Sequence, residues 1–387
     1  MGYSSTLFGQ MLRLLPREGF EEKVKAAEAD RYTKHFTAWN QLIVNLYAQA
    51  TGKRSLRDVE IGLKMHRMSW AHLGLVNAVR STIARANARR PGTLYAELFY
   101  LLLGRCRHLT PQRKFRFKAP LRALDSTVIE VSLAVFPWAK FRRAKGALKL
   151  HALLDIRGTI PEFLVVRNGN EHDNRVARET RWPLCRDSIL VMDKAYLDFR
   201  WLYRLNQQGV WFVLRAKSNQ DYRVIGQHTM GRGPGVLADE VIEMRGPLTR
   251  TKYPDRLRLV TYYDRQEERQ YRFLTNNWAL AASTIARIYQ ARWEIECFFK
   301  WIKQNLKIKT FLGTSQNAVM TQIWTAMIYY LLLAYIKYQT SYRQSLLWLT
   351  RVLREALFSR LDIIDVLKSS LARVQRYRDP CPVPVLF

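Results

Sequence analysis

"DSILVMDKAY", residues 187–196, decides the fold. Ile189–Met192 is an unbroken apolar run with Asp193 directly after it. That pattern reads as a short strand, buried on both faces, that ends in a carboxylate. Helical spacing surrounds it, in "EHDNRVARETRWPL" (171–184) before and "LDFRWLYRLNQQG" (197–209) after, the second with a glycine stop. "VWFVLRAKS" (210–218) is a strand again. Upstream, "PLRALDSTVIEVSL" (120–133) alternates with period two, and "ALKLHALLDIRG" and "TIPEFLVVRNGN" (147–170) extend it into a meander. The order β-β-β-α-β-α-β predicts an α/β chain with a mixed sheet flanked by helices.

This is the element order of a ribonuclease-H-like core, which would close with a helix. Four strand-like runs come first, "DYRVIGQHT", "VLADEVIEM", "RLRLVTYYD" and "RQYRFLTNN", with turn signals at "GRGPG" (231–235) and "RGP" (245–247). They predict a β-rich insertion. The closing helix is then "IYQARWEIECFFKWIKQNLK" (288–307). Residues before about 110 read as helices, with Gly52 as a stop and Ser81 or Thr82 as the cap of an arginine-rich helix holding Arg80, Arg85, Arg89 and Arg90. The expected organisation is a helical N-terminal DNA-binding domain at 1–115 and core segments at 116–217 and 275–340. The insertion occupies 218–274, and a basic helical tail ending in "DPCPVPVLF" occupies 341–387.

Of 387 residues, 63 are Lys or Arg and 32 are Asp or Glu, a formal net charge of +31. The cations are dispersed along the chain, so the folded parts are basic and the implied partner is nucleic acid. One basic run, Arg113, Lys114, Arg116 and onward through Arg143 and Lys149, flanks the first strand as a phosphate track or a solvated loop. Cys106, Cys185, Cys297 and Cys381 are far apart and form no CxxC pair, which argues against a zinc or disulfide framework and fits a reducing cytoplasm. No signal peptide opens the chain. "VMTQIWTAMIYYLLLAYI" (319–336) approaches membrane-spanning length, but its Thr and Gln residues predict a buried core helix and no membrane.

Asp125 lies inside the first strand, where a carboxylate is costly unless paired or bound to metal. Asp193 ends the buried strand, where ligands gather in open sheets; its bland role is a helix N-cap. The two strands are neighbours in the predicted core, so both aspartates would lie side by side. On the closing helix, Tyr289, Arg292, Glu296 and Lys303 fall within an arc of about 60°. Glu294 lies roughly 160° from Glu296. Asp125, Asp193 and Glu296 would hold hard divalent cations such as Mg²⁺, two of them, to activate a water or 3′-hydroxyl in phosphodiester chemistry. Arg292, Lys300 and Lys303 would face the flanking phosphates. Glu296 has a bland role too, as an i,i+4 partner of Lys300. Lys149 and His151 alternate on one strand face and read as sheet residues, with contact to DNA as the alternative, and His172-Asp173 reads as a capped helix start, with contact to the site as the alternative.

The pattern Y-x2-R-x3-E-x6-K at Tyr289, Arg292, Glu296 and Lys303 resembles the signature of the insertion-sequence transposases of the IS-four group, in the DDE transposase superfamily. Asp125 with Ser-Thr after it is similar to that family's first catalytic segment, and "VMDKAY" to its second. The N-terminal "RSLRDVE" and "RSTIARANARR" resemble the helical domain of one branch. The resemblance implies a bacterial cytoplasmic, nucleoid-associated enzyme using Mg²⁺, or Mn²⁺ in its place, at Asp125, Asp193 and Glu296. It would bind double-stranded DNA at terminal inverted repeats, pair the ends as a synaptic dimer, cleave them and join them to target DNA. Tyr289, Arg292, Lys300 and Lys303 would contact DNA at the site, and Arg85 and Arg89 from the N-terminal domain. A nuclease on the same core and an inactive DNA-binding regulator are the alternatives. Strand-transfer products separate the first, and loss of a carboxylate would have favoured the second.

Overall fold

In the computed structural model, which describes residues 5–75, 78–106, 117–142, 145–228, 233–306 and 311–368, the N-terminal sequence is helical. The elements are α1 (Leu7–Arg13), α2 (Arg17–Ala26), α3 (Ala38–Thr51), α4 (Leu56–Met65), α5 (Arg67–Trp70), α6 (Arg80–Arg89) and α7 (Thr93–Cys106). A Thr37–Asn40 capping box opens α3, and Gly52 closes it at φ 69°. α6 departs from expectation at its start. Neither Ser81 nor Thr82 caps it; Val79 is the N-cap without a side-chain bond, and Glu60 Oε2 accepts from the Arg80 N–H at 3.2 Å.

The chain divides into two compact units, Met1–Thr110 with Trp301–Phe387, and Pro111–Lys300. The first includes α13 (Gln316–Gln339) and α14 (Leu346–Glu355). α13 packs against α3, α6, α7 and α14. Its most apolar stretch is 89% buried, so it is a core helix of this unit, as its Thr and Gln residues predict. Residues 369–387, with "DPCPVPVLF", lie outside the described residues, as do Arg113, Lys114, Arg116, Arg143 and the first part of "GRGPG".

The second unit is built on one mixed sheet. Its strands are β1 (Leu121–Val131), β2 (Lys140–Arg142), β3 (Lys145–Asp155), β4 (Ile160–Asn168), β5 (Ile189–Met192), β6 (Trp211–Arg215), β7 (Tyr222–Gln227), β8 (Val236–Met244), β9 (Leu257–Asp264) and β10 (Arg269–Thr275). β1 pairs antiparallel with β3, and β3 with β4. β5 runs parallel to both β1 and β6. This is the predicted core, with the short β2 added at the β3 edge. The insertion does not stand apart: β10 pairs antiparallel with β6, and β9, β8 and β7 follow in turn. The proline of "RGP" opens a helix, not only a turn.

The helices of this unit are α8 (Asp173–Glu179), α9 (Phe199–Gln207), α10 (Pro247–Lys252), α11 (Ala282–Ala291) and α12 (Trp293–Asn305), the last crossing into the first unit at residue 301. Leu190, Met192, Phe212, Leu214, Leu259 and Leu274 form one buried cluster with Trp201, Leu202 and Leu205 of α9. By strand alternation, Val191 and Val213 face the other side, where α11 packs on β5, β6 and β10. Burial on both faces explains the unbroken apolar run of β5.

Two side chains anchor the chain entering α11. Arg258, fully buried on β9, donates to both oxygens of Asp239 at 2.8 and 2.7 Å and to the carbonyls of Asn277 and Leu280. Asn276 accepts from the Phe212 N–H at 2.8 Å and donates to Val210 O at 3.0 Å. The loop before α11 is thereby tied to β6, β8 and β9.

Candidate active site

The site is assembled from three separate stretches of the second unit. Parallel pairing sets Leu124 opposite Met192, so the residues that follow them, Asp125 on β1 and Asp193 just beyond β5, come side by side. Asp193 precedes a 3₁₀ turn, Lys194–Tyr196, and its side chain makes no capping bond, so the bland N-cap role does not hold it. The third stretch is the closing helix, which is not continuous. α11 ends at Ala291 and α12 starts at Trp293. At the junction Arg292 N donates to Tyr289 O, and Ile295 N to Arg292 O, each three residues back.

Arg292, at this junction, joins the carboxylates. Its Nη1 donates to Asp125 Oδ2 at 3.1 Å and its Nη2 to Glu296 Oε1 at 2.6 Å. Its guanidinium stands 5.4 Å from the Tyr289 ring centre, and its Nε is buried with no hydrogen-bond partner. Tyr289 Oη lies 3.5 Å from Asp193 Oδ1, and its ring packs against Phe273 at 4.7 Å. Tyr289, Arg292, Glu296, Asp125 and Asp193 are thus brought together. Glu296 pairs with Arg292, four residues before it, and not with Lys300.

Lys300 is exposed on α12. Lys303, half-buried on the same helix, belongs to the first unit. Arg85 and Arg89 are exposed on α6 in that unit, whose buried side is Ile83 and Asn87. Arg90 has a structural role: it is buried, pairs with Asp30 at 2.9 Å and donates to Gln41 Oε1.

Burial pushes the Asp125 carboxyl up to about 6, against a Ser126 N–H bond and the Arg292 charge that pull it down; Asp193 and Glu296 push it further up. The shift has a stability consequence. A carboxyl whose folded pKa is raised contributes stability that is complete below its ordinary value near 3.8 and is lost as pH rises through about 6. Replacing it by a neutral isostere removes the loss. Metal-free Asp125→Asn protein is expected to match wild type at pH 4 and to exceed it by about 3 kcal/mol at pH 8. Thermal melts in EDTA at both pH values check this, and equal melting temperatures at pH 8 would refute the strained carboxylate.

Behind Asp125 lies a partly buried polar cluster that joins Lys149 and His151, alternate on one strand face in the sequence, to Asp173 at the start of α8 and to Ser126. Ser126 N–H donates to Asp125 Oδ1 at 2.8 Å, and Ser126 Oγ donates to Asp173 Oδ1 at 2.6 Å. Lys149 pairs with the same Asp173 oxygen at 3.2 Å. His151 is fully buried, 3.3 Å from Tyr196 Oη. Burial drives its pKa down to about 4, so it is neutral at neutral pH and its 3.8 Å approach to Asp173 is not an ion pair there. A second feature is a cavity of about 830 Å³ beside Asp193, lined by basic side chains from β6, β10 and the turn after β5. These residues share no motif; pairing of β10 with β6 gathers them.

A transposase DDE domain family matches residues 116–332, and a domain of unknown function, DUF4372, matches residues 3–76. A putative transposase of Sinorhizobium fredii, y4zB, is 33% identical over 73% of this chain and 79% of its own length. A probable transposase for insertion sequence element IS5377, from Geobacillus stearothermophilus, is 31% identical over 69% of this chain and 70% of the relative. Among solved structures, the cryo-EM structure of the piggyBac transposase synaptic complex with hairpin DNA matches 97% of this chain and 86% of that chain. The TM-score is 0.51 at 13% identity, a likeness of fold.

Proposed function

The chain belongs to the DDE transposase family, and we propose that it is an insertion-sequence transposase whose catalytic carboxylates are Asp125, Asp193 and Glu296. The family cleaves DNA, transfers strands and uses divalent metal ions. The observation that carries the residue assignment is Arg292, which spans Asp125 and Glu296 beside Asp193. Three hard-oxygen donors are the set Mg²⁺ takes, with Mn²⁺ as substitute, and we assign two ions. The donor chemistry fits, while Arg292 holds the position between two of the ligands. Among the described residues no three such side chains are gathered tightly enough to ligate one ion. When bound, the ions supply activation of a water or 3′-hydroxyl and stabilise the leaving oxygen.

The chain's own residues do the rest. Arg292 exchanges its carboxylates for a DNA phosphate, which its planar fork and its unpartnered Nε suit. Tyr289, against Asp193, orients the strand at the site. Lys300 and Lys303 take neighbouring phosphates, and Arg85 and Arg89 contact the end sequence. The substrates are double-stranded terminal inverted repeats and target DNA in the bacterial cytoplasm, and the ends are paired by a dimer. The net charge of +31 supports a polyanionic partner.

The test is an end-labelled inverted-repeat fragment of the element, a target plasmid and Mg²⁺ or Mn²⁺. Metal-dependent joining of the end to plasmid is the expected result. Cleavage without joining would replace the transposase by a nuclease, and binding with no chemistry in either metal would leave a regulator.

A further inference from the structure

Ser126 links the two faces of the sheet. By strand alternation Asp125 points to the face where Arg292 meets it, and Ser126 to the opposite face, under α8. The β1–β5 pairing stops at Leu124 opposite Met192, and β1 continues paired with β3. Just past that point Ser126 makes two bonds. Its N–H donates to Asp125 Oδ1 at 2.8 Å, and its Oγ donates to Asp173 Oδ1 at 2.6 Å. The second has the length of a charge-assisted bond to a carboxylate.

Asp173 is itself fixed. Lys149 Nζ, on β3, stands 3.2 Å from the same Oδ1 and donates to Glu171 O at 3.0 Å, so the turn into α8 is tied to the sheet. His151, opposite Ser126 on β3, and Tyr196 are both fully buried, so the cluster is shielded from water on that side, where hydrogen bonds gain strength. Helix capping does not account for this carboxylate. His172 is the N-cap of α8, and Asp173 Oδ1 is turned to Ser126 and Lys149. The effect reaches Asp125. With Oδ1 held by the Ser126 N–H, the other oxygen, Oδ2, is presented to the site, where Arg292 Nη1 meets it at 3.1 Å.

We propose that Asp173 is a positioning residue for the reaction, acting through Ser126 to hold Asp125 with Oδ2 turned into the site. Partners behind a metal-ligating side chain fix its orientation, and their loss typically costs about 10- to 100-fold in metal affinity or activity. That the oriented carboxylate serves cleavage rests on the transposase reading; the link from Asp173 through Ser126 to Asp125 does not.

The experiment compares the full chain with Asp173→Ala, Ser126→Ala, Ser126→Thr and Ser126→Ala/Asp173→Ala. Two quantities are read. One is exchange of the backbone amide hydrogen at position 126 in EDTA, where catalysis plays no part. The other is the Mn²⁺ concentration that gives half-maximal cleavage of the inverted-repeat fragment. Melting temperatures in EDTA report on folding. Asp173→Ala is expected to speed the exchange about tenfold. It is also expected to raise half-saturating Mn²⁺ by about tenfold or more, with the rate at saturating Mn²⁺ retained. Ser126→Ala does the same, Ser126→Thr keeps the hydroxyl and restores both, and the double variant is no worse than either single.

A merely structural role gives a different pattern: a rate loss that follows the melting temperature at unchanged half-saturating Mn²⁺. That pattern would overturn the proposal, as would additive losses in the double variant or unchanged exchange in Asp173→Ala protein. If Asp173→Ala does not fold, Ser126→Ala against Ser126→Thr decides, because Ser126→Ala leaves the Asp173–Lys149 pair in place. Failure of the two readings is separable. Exchange that responds as expected in a protein that cleaves nothing sinks the catalytic reading alone, and cleavage with unresponsive exchange sinks the link alone.

Discussion

Glu296→Gln protein is expected to bind the element's ends as wild type does and to lose end cleavage and joining by about a thousandfold or more. The substitution keeps the side-chain length, the helix and a hydrogen bond from Arg292 Nη2, now 2.6 Å from Glu296 Oε1. It removes only the charge. DNA affinity comes from the cations, so binding survives. On the proposed assignment the third charged ligand for the divalent ions would be lost, and with it several kcal/mol of transition-state stabilisation; a thousandfold corresponds to about 4 kcal/mol. Gel-shift titration beside a cleavage time course in Mg²⁺ checks both halves. Cleavage near the wild-type rate would remove Glu296 from the catalytic set. A loss of binding equal to the loss of cleavage would make its role structural.

Arg258→Ala is expected to destabilise the second unit by about 3–5 kcal/mol. Arg258 is fully buried and Asp239 is 3% exposed, so removing the guanidinium strands a carboxylate away from water. It also frees the carbonyls of Asn277 and Leu280, which Arg258 Nη1 holds at 2.9 and 2.6 Å. These carbonyls precede α11, so the change loosens the helix that carries Tyr289. Urea unfolding measures the loss, and an unchanged midpoint would refute it. Arg258→Met/Asp239→Leu separates the two causes. An apolar replacement of a buried pair is often near neutral in stability. The double variant should recover most of the midpoint while cleavage stays impaired, because the carbonyl anchors remain lost.

By itself the sequence determined the core and placed Asp125, Asp193 and Glu296 in it as candidate carboxylates. The apolar run of β5 is readable because both faces are covered, so every residue must be apolar. The order of strands and helices then makes β1 and β5 neighbours, which brings Asp125 and Asp193 together. Tyr289, Arg292 and Glu296 were legible as a stripe because helical geometry is local and periodic. Only the tertiary structure decided that this helix breaks at Arg292, that Arg292 bridges Asp125 and Glu296, and that Arg90 is a buried structural residue. It likewise decided that the insertion continues the core sheet through β10. The basic cavity and the Ser126–Asp173–Lys149 cluster are of the same kind. Pairing of β10 with β6, and packing of α8 beside β1 and β3, depend on side chains far apart in sequence meeting after collapse. No periodicity within a single segment encodes such meetings, because their register is set by the burial of whole faces.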